Sequence, residues 1–159
     1  MQYASFGSIS HGTMRTEDLL DTFASELEHH VRRNAAEWCS DEGRAQRDKL
    51  IDLANGAREI DCDSEDNEAD PEEVLSELFD ALSEFAPPYA YFGSHPGDGS
   101  DYGFWLTENI DECFDGLKVD DTGEVPDDYC GEVLHINDHG NMTLYSASNG
   151  KLSEVWALV

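Results

Sequence analysis

Hydrophobic side chains recur at steps of three and four residues along three stretches of the chain, and each stretch predicts an amphipathic helix. The stretches cover about residues 17–38, 42–57 and 71–85. A polar residue suited to N-capping precedes each of them, namely Thr16, Ser40 and Asp70. We therefore expect three helices in the N-terminal half of the chain.

Sequence signals also mark where these helices start and stop. Pro71 directly follows Asp70 and suits the first helical position, because proline has no backbone N–H to leave unpaired there. Asn55-Gly56 is typical of a helix C-terminus and predicts that the second helix ends near residue 57. Pro87 and Pro88 end the third helix, since the residue before a proline avoids helical backbone angles.

The pattern changes to short aromatic and alternating runs after residue 88. These runs predict strands at about 89–92, 102–106, 132–137, 142–147 and 152–158. Asn149-Gly150 is a strong signal for a two-residue hairpin turn. Helices followed by an antiparallel meander over about 89–158 predict an α+β fold, with the helices packed on the sheet.

The length of 159 residues suits a single α+β domain over 1–159. Within it we distinguish a helical part over 1–58 and an acidic linker over 59–70. The acidic third helix and the sheet make up 71–159.

Charge is the unusual feature of the composition. Asp and Glu number 36 against nine Lys and Arg, so the net charge is −27. The excess is concentrated between residues 59 and 128, where 23 acidic residues accompany one lysine. Adaptation to high salt is one explanation, although a halophilic protein is expected to spread its acid over the whole surface.

Such a surface excludes nucleic acids and anionic membranes as direct partners, because both repel it. It favours a basic partner, such as the nucleic-acid-binding surface of a host protein. The linker and the third helix carry the densest acid. Carboxylates at four-, three- and four-residue steps would stand about 5–6 Å apart on one helix face, close to the spacing of phosphates along a DNA strand.

We therefore predict a partner-binding surface centred on the acidic middle of the chain. Its candidate residues are Asp61, Asp63, Glu65, Asp66, Glu73, Glu77, Asp80 and Glu84, with Asp98 and Asp101 extending it.

The segment from Gly93 to Trp105 offers a different chemistry. His95, Asp98 and Asp101 are residue types that bind Zn²⁺, Mn²⁺ or Fe²⁺, and they are the candidate metal ligands. Their spacing matches no established metal motif. Pro96-Gly97 and Asp98-Gly99 are turn dipeptides, so the favoured interpretation is a turn between two aromatic strands.

Motifs for other chemistry are missing from the sequence. We find no nucleophile elbow, phosphate-binding loop or dinucleotide fingerprint, so we expect neither enzymatic activity nor a cofactor. The four cysteines lack C-x-x-C spacing. The chain shows no signal-peptide pattern and no apolar run near 20 residues, so we expect a cytoplasmic protein with free thiols.

Two segments resemble small acidic proteins of phages and other mobile elements. They are HPGDGSDYGFW, residues 95–105, and GEVLHINDHGN, residues 131–141. The resemblance implies no particular mechanism, but acidic phage proteins include inhibitors of restriction and CRISPR systems. It therefore implies a counter-defence role in the cytoplasm of a host cell.

Three functional hypotheses follow. The first is an acidic, DNA-mimic-like inhibitor of a basic host protein, such as an anti-CRISPR or anti-restriction protein. The second is a metal-dependent enzyme or ligand-binding domain that uses His95, Asp98 and Asp101. The third is an immunity-type protein that neutralises a cationic toxin.

Overall fold

The computed structural model describes residues 2–64 and 69–159, apart from the side chain of Asp111. The three long helices come before residue 84 and all strands but the first come after it, which confirms the α+β fold. The chain forms two compact units, Met1–Thr107 and Glu108–Val159, and each is described by itself.

The first unit contains three long helices and a three-stranded sheet. The helices are α1 (Thr16–Arg33), α2 (Asp41–Glu59) and α3 (Pro71–Ser83). The strands are β1 (Gly7–Ser10), β2 (Ala90–His95) and β3 (Asp98–Leu106), in the antiparallel order β1-β3-β2. Ala35–Trp38 forms a separate 3₁₀ turn after α1.

The second unit contains an α-helical turn, a 3₁₀ turn (Thr122–Glu124) and a four-stranded sheet. The helical turn is α4 (Ile110–Cys113). The strands are β4 (Leu117–Val119), β5 (Gly131–Ile136), β6 (Met142–Ser148) and β7 (Lys151–Leu158), in that order across the sheet. Asn149 and Gly150 join β6 to β7 with positive φ at both positions, as the predicted hairpin turn requires.

The boundaries of α1 differ from the predicted 17–38. The N-cap position is Arg15 rather than Thr16, and Thr13 organises the start of the helix by donating to Asp18 Oδ2 at 2.7 Å. The helix stops at Arg33 because the Asn34 side chain is buried and donates to the His30 and Gln2 carbonyls. The predicted end near residue 38 belongs to the 3₁₀ turn.

The start of α2 is confirmed and its end is not. The Ser40 hydroxyl accepts a hydrogen bond from Gly43 N at 3.0 Å, as an N-cap does. The helix then continues through Asn55-Gly56 to Glu59, so the predicted stop is wrong. Ala54 and Ala57 are buried on either side of this dipeptide, and their packing keeps the chain helical.

The third helix also begins as predicted. The Asp70 carboxylate accepts from Glu72 N at 3.0 Å, and Pro71 is the first helical residue. The helix ends at Ser83, two residues before the predicted end. Phe85 lies beyond it, fully buried, because a tighter turn from Leu82 directs its ring into the core.

The core of the first unit lies between the three long helices and one face of the sheet. Phe92 and Phe104 face each other across β2 and β3, with ring centroids 5.0 Å apart. Phe23 of α1 meets Phe92 edge-on at 5.0 Å. Leu78 and Leu82 of α3 are fully buried in the same cluster. This packing fixes which face of α3 points outward.

The segment 93–105 forms a hairpin, as predicted. The strands β2 and β3 run through most of it, and Pro96-Gly97 make the turn. At Gly103 an added Cβ would lie 2.1 Å from the Gly7 carbonyl oxygen, so only glycine allows β1 to pair there.

The C-terminal strands are not one meander, as predicted, but two sheets, of which the second is mixed. β4 pairs parallel with β5, whereas β5, β6 and β7 are antiparallel. The stretch between β4 and β5, residues 120–130, supplies the long crossover that a parallel pair needs. The predicted strands do not include β4, which has only three residues and lies among acidic ones.

In the two described stretches of chain, no helix is both long and apolar enough to cross a membrane.

Candidate functional site

The outward face of α3 carries a row of carboxylates. Leu78, Ala81 and Leu82 are buried on its inner face. Glu73, Glu77, Asp80 and Glu84 are exposed and recur at four, three and four residues; we call them the acidic stripe. At 1.5 Å per residue the stripe extends about 16 Å along the helix axis.

The acidic stripe forms no ion pair within the part of the chain that the structure describes. Among the described residues, no ion pair joins any of its four carboxylates to a Lys, Arg or His side chain. Acidic residues of α1 do have such partners, such as Glu17 with Arg15 at 2.8 Å and Glu28 with Arg58 at 3.1 Å. The negative charge of the stripe is therefore uncompensated, whereas much of that on α1 is paired.

The charge pattern of α3 also departs from that of the other long helices. Basic residues occupy the last turns of α1 and α2, where the helix dipole favours positive charge. The last turn of α3 has no basic residue. Instead Asp80 and Glu84 lie near its C-terminal end, where the dipole disfavours them. Helix stability therefore does not account for this arrangement.

The linker before α3 adds acid around a half-buried thiol. Asp61 and Asp63 are exposed, and Asp61 Oδ1 accepts from Asp63 N at 3.1 Å. Partial burial raises the pKa of Cys62, and the negative charges of Glu17, Asp61 and Asp63 raise it further. The charge of Glu17, at the start of α1, therefore acts on the same thiol as the two linker carboxylates. Glu65 and Asp66 lie outside the described residues.

The association with Glu17 was not predicted. The residue is 44 positions before Asp61 in the chain. Only the return of the chain after α2 brings the two together, and no local sequence pattern signals that return.

The hairpin carboxylates have local structural roles. Asp98 Oδ1 accepts from the Ser100 backbone N–H at 2.9 Å and from its hydroxyl at 2.8 Å, and these bonds lower the Asp98 pKa. Asp101 Oδ2 lies 3.6 Å from His11 Nδ1. Both residues are half-buried and belong to the turn and strand more than to a free acidic surface.

The predicted metal ligands are not brought together as a ligand set. His95 Nδ1 accepts from Gly97 N at 3.0 Å, and its ring packs edge-on against Trp105. Within residues 2–64 and 69–159, no group of three or more His, Cys, Asp and Glu side chains could hold a metal ion. The four cysteines, Cys39, Cys62, Cys113 and Cys130, are free thiols.

Comparisons with known proteins add no relative. No family model, no curated protein and no solved structure matches the chain. The resemblance of residues 95–105 and 131–141 to phage proteins therefore stays a prediction.

Proposed function

We propose that the protein is a non-enzymatic inhibitor that occupies a basic, nucleic-acid-binding surface of a host protein. The acidic stripe takes the place of a DNA strand, and Asp61 and Asp63 extend the negative surface. One observation carries the proposal. Four carboxylates share one exposed helix face with no ion pair to any described Lys, Arg or His side chain, on a helix whose dipole opposes two of them.

The spacing of the stripe suits this role. Its carboxylates recur every 4.5–6 Å or so along the axis, as the helical rise of about 1.5 Å per residue requires. A groove lined with Lys and Arg to hold phosphates would meet a comparable row of charges. Long-range attraction would also speed association, most strongly at low salt.

The uneven distribution of charge supports a partner-binding surface over general acidity. Residues 1–58 contain ten acidic and seven basic residues, whereas 59–128 contain 23 and one. Self-repulsion within that middle segment destabilises the folded chain, so a compensating gain is expected. Binding of a basic partner supplies it.

A defence complex of the host, such as a restriction or CRISPR system, is our proposed partner class. This step rests on the phage resemblance and on the fact that such systems carry basic DNA- or RNA-binding grooves. An immunity-type protein against a cationic toxin would use the same stripe. The two differ only in the partner that the stripe captures.

Capture from a host lysate tests the proposal. Immobilised protein should retain nucleic-acid-binding proteins, and both duplex DNA and a salt increase from about 50 to 500 mM should release them. A Glu77→Gln, Asp80→Asn double variant should retain much less. A toxin in place of nucleic-acid-binding proteins would favour the immunity-type function.

A matched control separates the stripe from net charge alone. Asp48→Asn with Asp52→Asn removes the same charge from two exposed carboxylates one turn apart on α2. We expect that variant to capture the partner almost as well as the unaltered protein. Capture that is indifferent to salt, or equally reduced by both double variants, would refute the proposal.

A further inference from the structure

A shallow groove of about 260 Å³ runs along the flank of α3, beside the acidic stripe. Leu19 and Phe23 of α1 are buried and form its floor. Leu75, Phe79 and Tyr102 are half-buried and form its walls. Glu72 and Ser76 are exposed and form its rim. We call this the α3 groove.

The lining of the α3 groove combines three kinds of contact. Leu19 and Leu75 offer aliphatic surface, and Phe79 and Tyr102 offer aromatic rings. Glu72 adds a carboxylate, which forms no ion pair or hydrogen bond with the described residues. The volume of the α3 groove lies below the range of about 300–1,000 Å³ that holds drug-sized ligands. The groove therefore suits one long side chain better than a small molecule.

Arginine is the side chain whose chemistry matches all three contacts. Its methylene stem packs on apolar surface while its head stays solvated. Its flat guanidinium stacks on aromatic rings and forms paired hydrogen bonds with a carboxylate. Lysine lacks the flat, forked donor. An apolar side chain would form neither an ion pair nor a hydrogen bond with Glu72.

The position of the groove fits one partner that reaches both surfaces. At about 100° per residue, Glu72 and Ser76 lie between the groove walls and the nearer stripe residues on the helix circumference. A basic surface laid on the stripe could therefore extend one side chain over this rim. Arginine is also among the residues that most often dominate binding energy at interfaces.

We propose that the α3 groove receives an arginine side chain of the basic partner, and that this contact makes the protein select arginine-rich over lysine-rich surfaces. The inference rests on the proposed function and specifies its partner. The acidic stripe would attract any basic surface, and the groove would discriminate among them.

Two peptides of equal length and charge, hexa-arginine and hexa-lysine, test the selectivity. We expect hexa-arginine to bind about twofold to fivefold more tightly at physiological salt, the ratio that one exposed cation–π contact supplies. Fluorescence anisotropy measures both affinities. In NMR spectra, the Tyr102 ring and Leu75 methyl signals should shift with hexa-arginine and much less with hexa-lysine.

Three variants locate the effect. Ser76→Trp fills the groove from its exposed rim without changing charge, and Glu72→Gln removes the rim carboxylate. Both should abolish the preference for arginine. Glu77→Gln removes one charge from the stripe outside the groove, so it should weaken both peptides equally and keep the preference. If Ser76→Trp misfolds, the comparison of Glu72→Gln with Glu77→Gln still tests whether the groove causes the preference for arginine.

The outcomes separate this inference from the proposed function. Equal affinity for the two peptides, or a preference that survives Glu72→Gln and Ser76→Trp, would overturn the arginine site. If Glu77→Gln still weakens binding in that case, the acidic stripe stands without the groove. If neither peptide binds even at low salt, both proposals fail.

Discussion

The imidazole of His30 is buried beside the carboxylate of Glu26, with Nε2 3.0 Å from Oε1. Only 1% of the His30 side chain is exposed. Its ring stacks on Phe85 with centroids 4.9 Å apart, and Phe104 meets it edge-on. His30 and Glu26 lie at ion-pair distance, but their geometry is not that of a full hydrogen bond. The other ring nitrogen of His30, Nδ1, has no hydrogen-bond partner among the described residues.

Glu26→Gln should destabilise the fold because it removes the carboxylate charge that lies 3.0 Å from Nε2 of this buried ring. The loss should be about 1 kcal/mol, at the lower end for contacts to charged groups because Glu26 is partly solvated. Urea denaturation measures it. Asp21→Asn, on the same helix but largely exposed, should change stability by less than about 0.5 kcal/mol. Equal effects of the two substitutions would contradict the prediction.

The same pair makes stability depend on pH in a defined range. The contact with His30 holds the pKa of Glu26 below its ordinary value of 4.5, while burial opposes this effect and electrostatic attraction to His30, His29 and Arg33 adds to it. Because the folded pKa lies below the unfolded one, the contribution is complete above about pH 4.5 and disappears as pH falls through the folded pKa. Glu26→Gln should lose this component of the acid transition, which thermal melts from pH 3 to 6 would detect.

The close approach of β1 to Gly103 predicts a strong effect of one methyl group. Gly103→Ala would place Cβ 2.1 Å from the Gly7 carbonyl oxygen, so β1 must move away from β3. We expect a loss of about 1–3 kcal/mol, as for overpacked sites. Gly99→Ala is the matched control in the same strand, because nothing lies within 4 Å of its Cβ. Urea unfolding of the two variants tests the prediction, since only Gly103→Ala should lose this much stability.

Local signals predicted the elements of this fold well where the residues concerned also satisfy the tertiary structure. Ser40 and Asp70 cap the helices that they were expected to cap, since each side-chain oxygen meets an N–H two or three residues ahead. Asn149-Gly150 adopts the positive φ angles of its turn. In these cases one short stretch contains all the interacting groups.

The predictions that were wrong have a common physical cause. The helix α2 passes through Asn55-Gly56 because Ala54 and Ala57 are buried against other elements. The parallel pairing of β4 with β5 depends on a partner strand that begins twelve residues after β4 ends. Long-range packing determines both the length of α2 and the pairing of β4, and no local sequence pattern indicates that packing.

The candidate site was predictable only in part. The acidic stripe follows from helical periodicity, and its exposure agrees with the apolar face opposite to it. The α3 groove was not foreseen, because Tyr102 comes from β3 and Leu19 from α1. The proximity of Glu17 to the linker acid likewise required the tertiary structure.

The orientation of charge along α3 yields the last prediction, a conflict between stability and binding. Glu84→Lys replaces an anion at the C-terminal end with a cation, which the helix dipole favours. Glu73→Lys makes the same change of charge in the first turn, where the dipole disfavours it. We expect the first variant to melt higher than the unaltered protein, and the second to melt lower than the first.

Partner capture should respond differently from melting temperature. Both variants remove one stripe carboxylate and add one positive charge, so both should retain less of the basic partner at low salt. If the stripe serves binding, Glu84→Lys should therefore stabilise the protein and weaken its capture of the partner. If Glu84→Lys raised the melting temperature and left capture intact while Glu73→Lys weakened it, the C-terminal end of the stripe would lie outside the interface, and the contact would be confined to the first turns of α3.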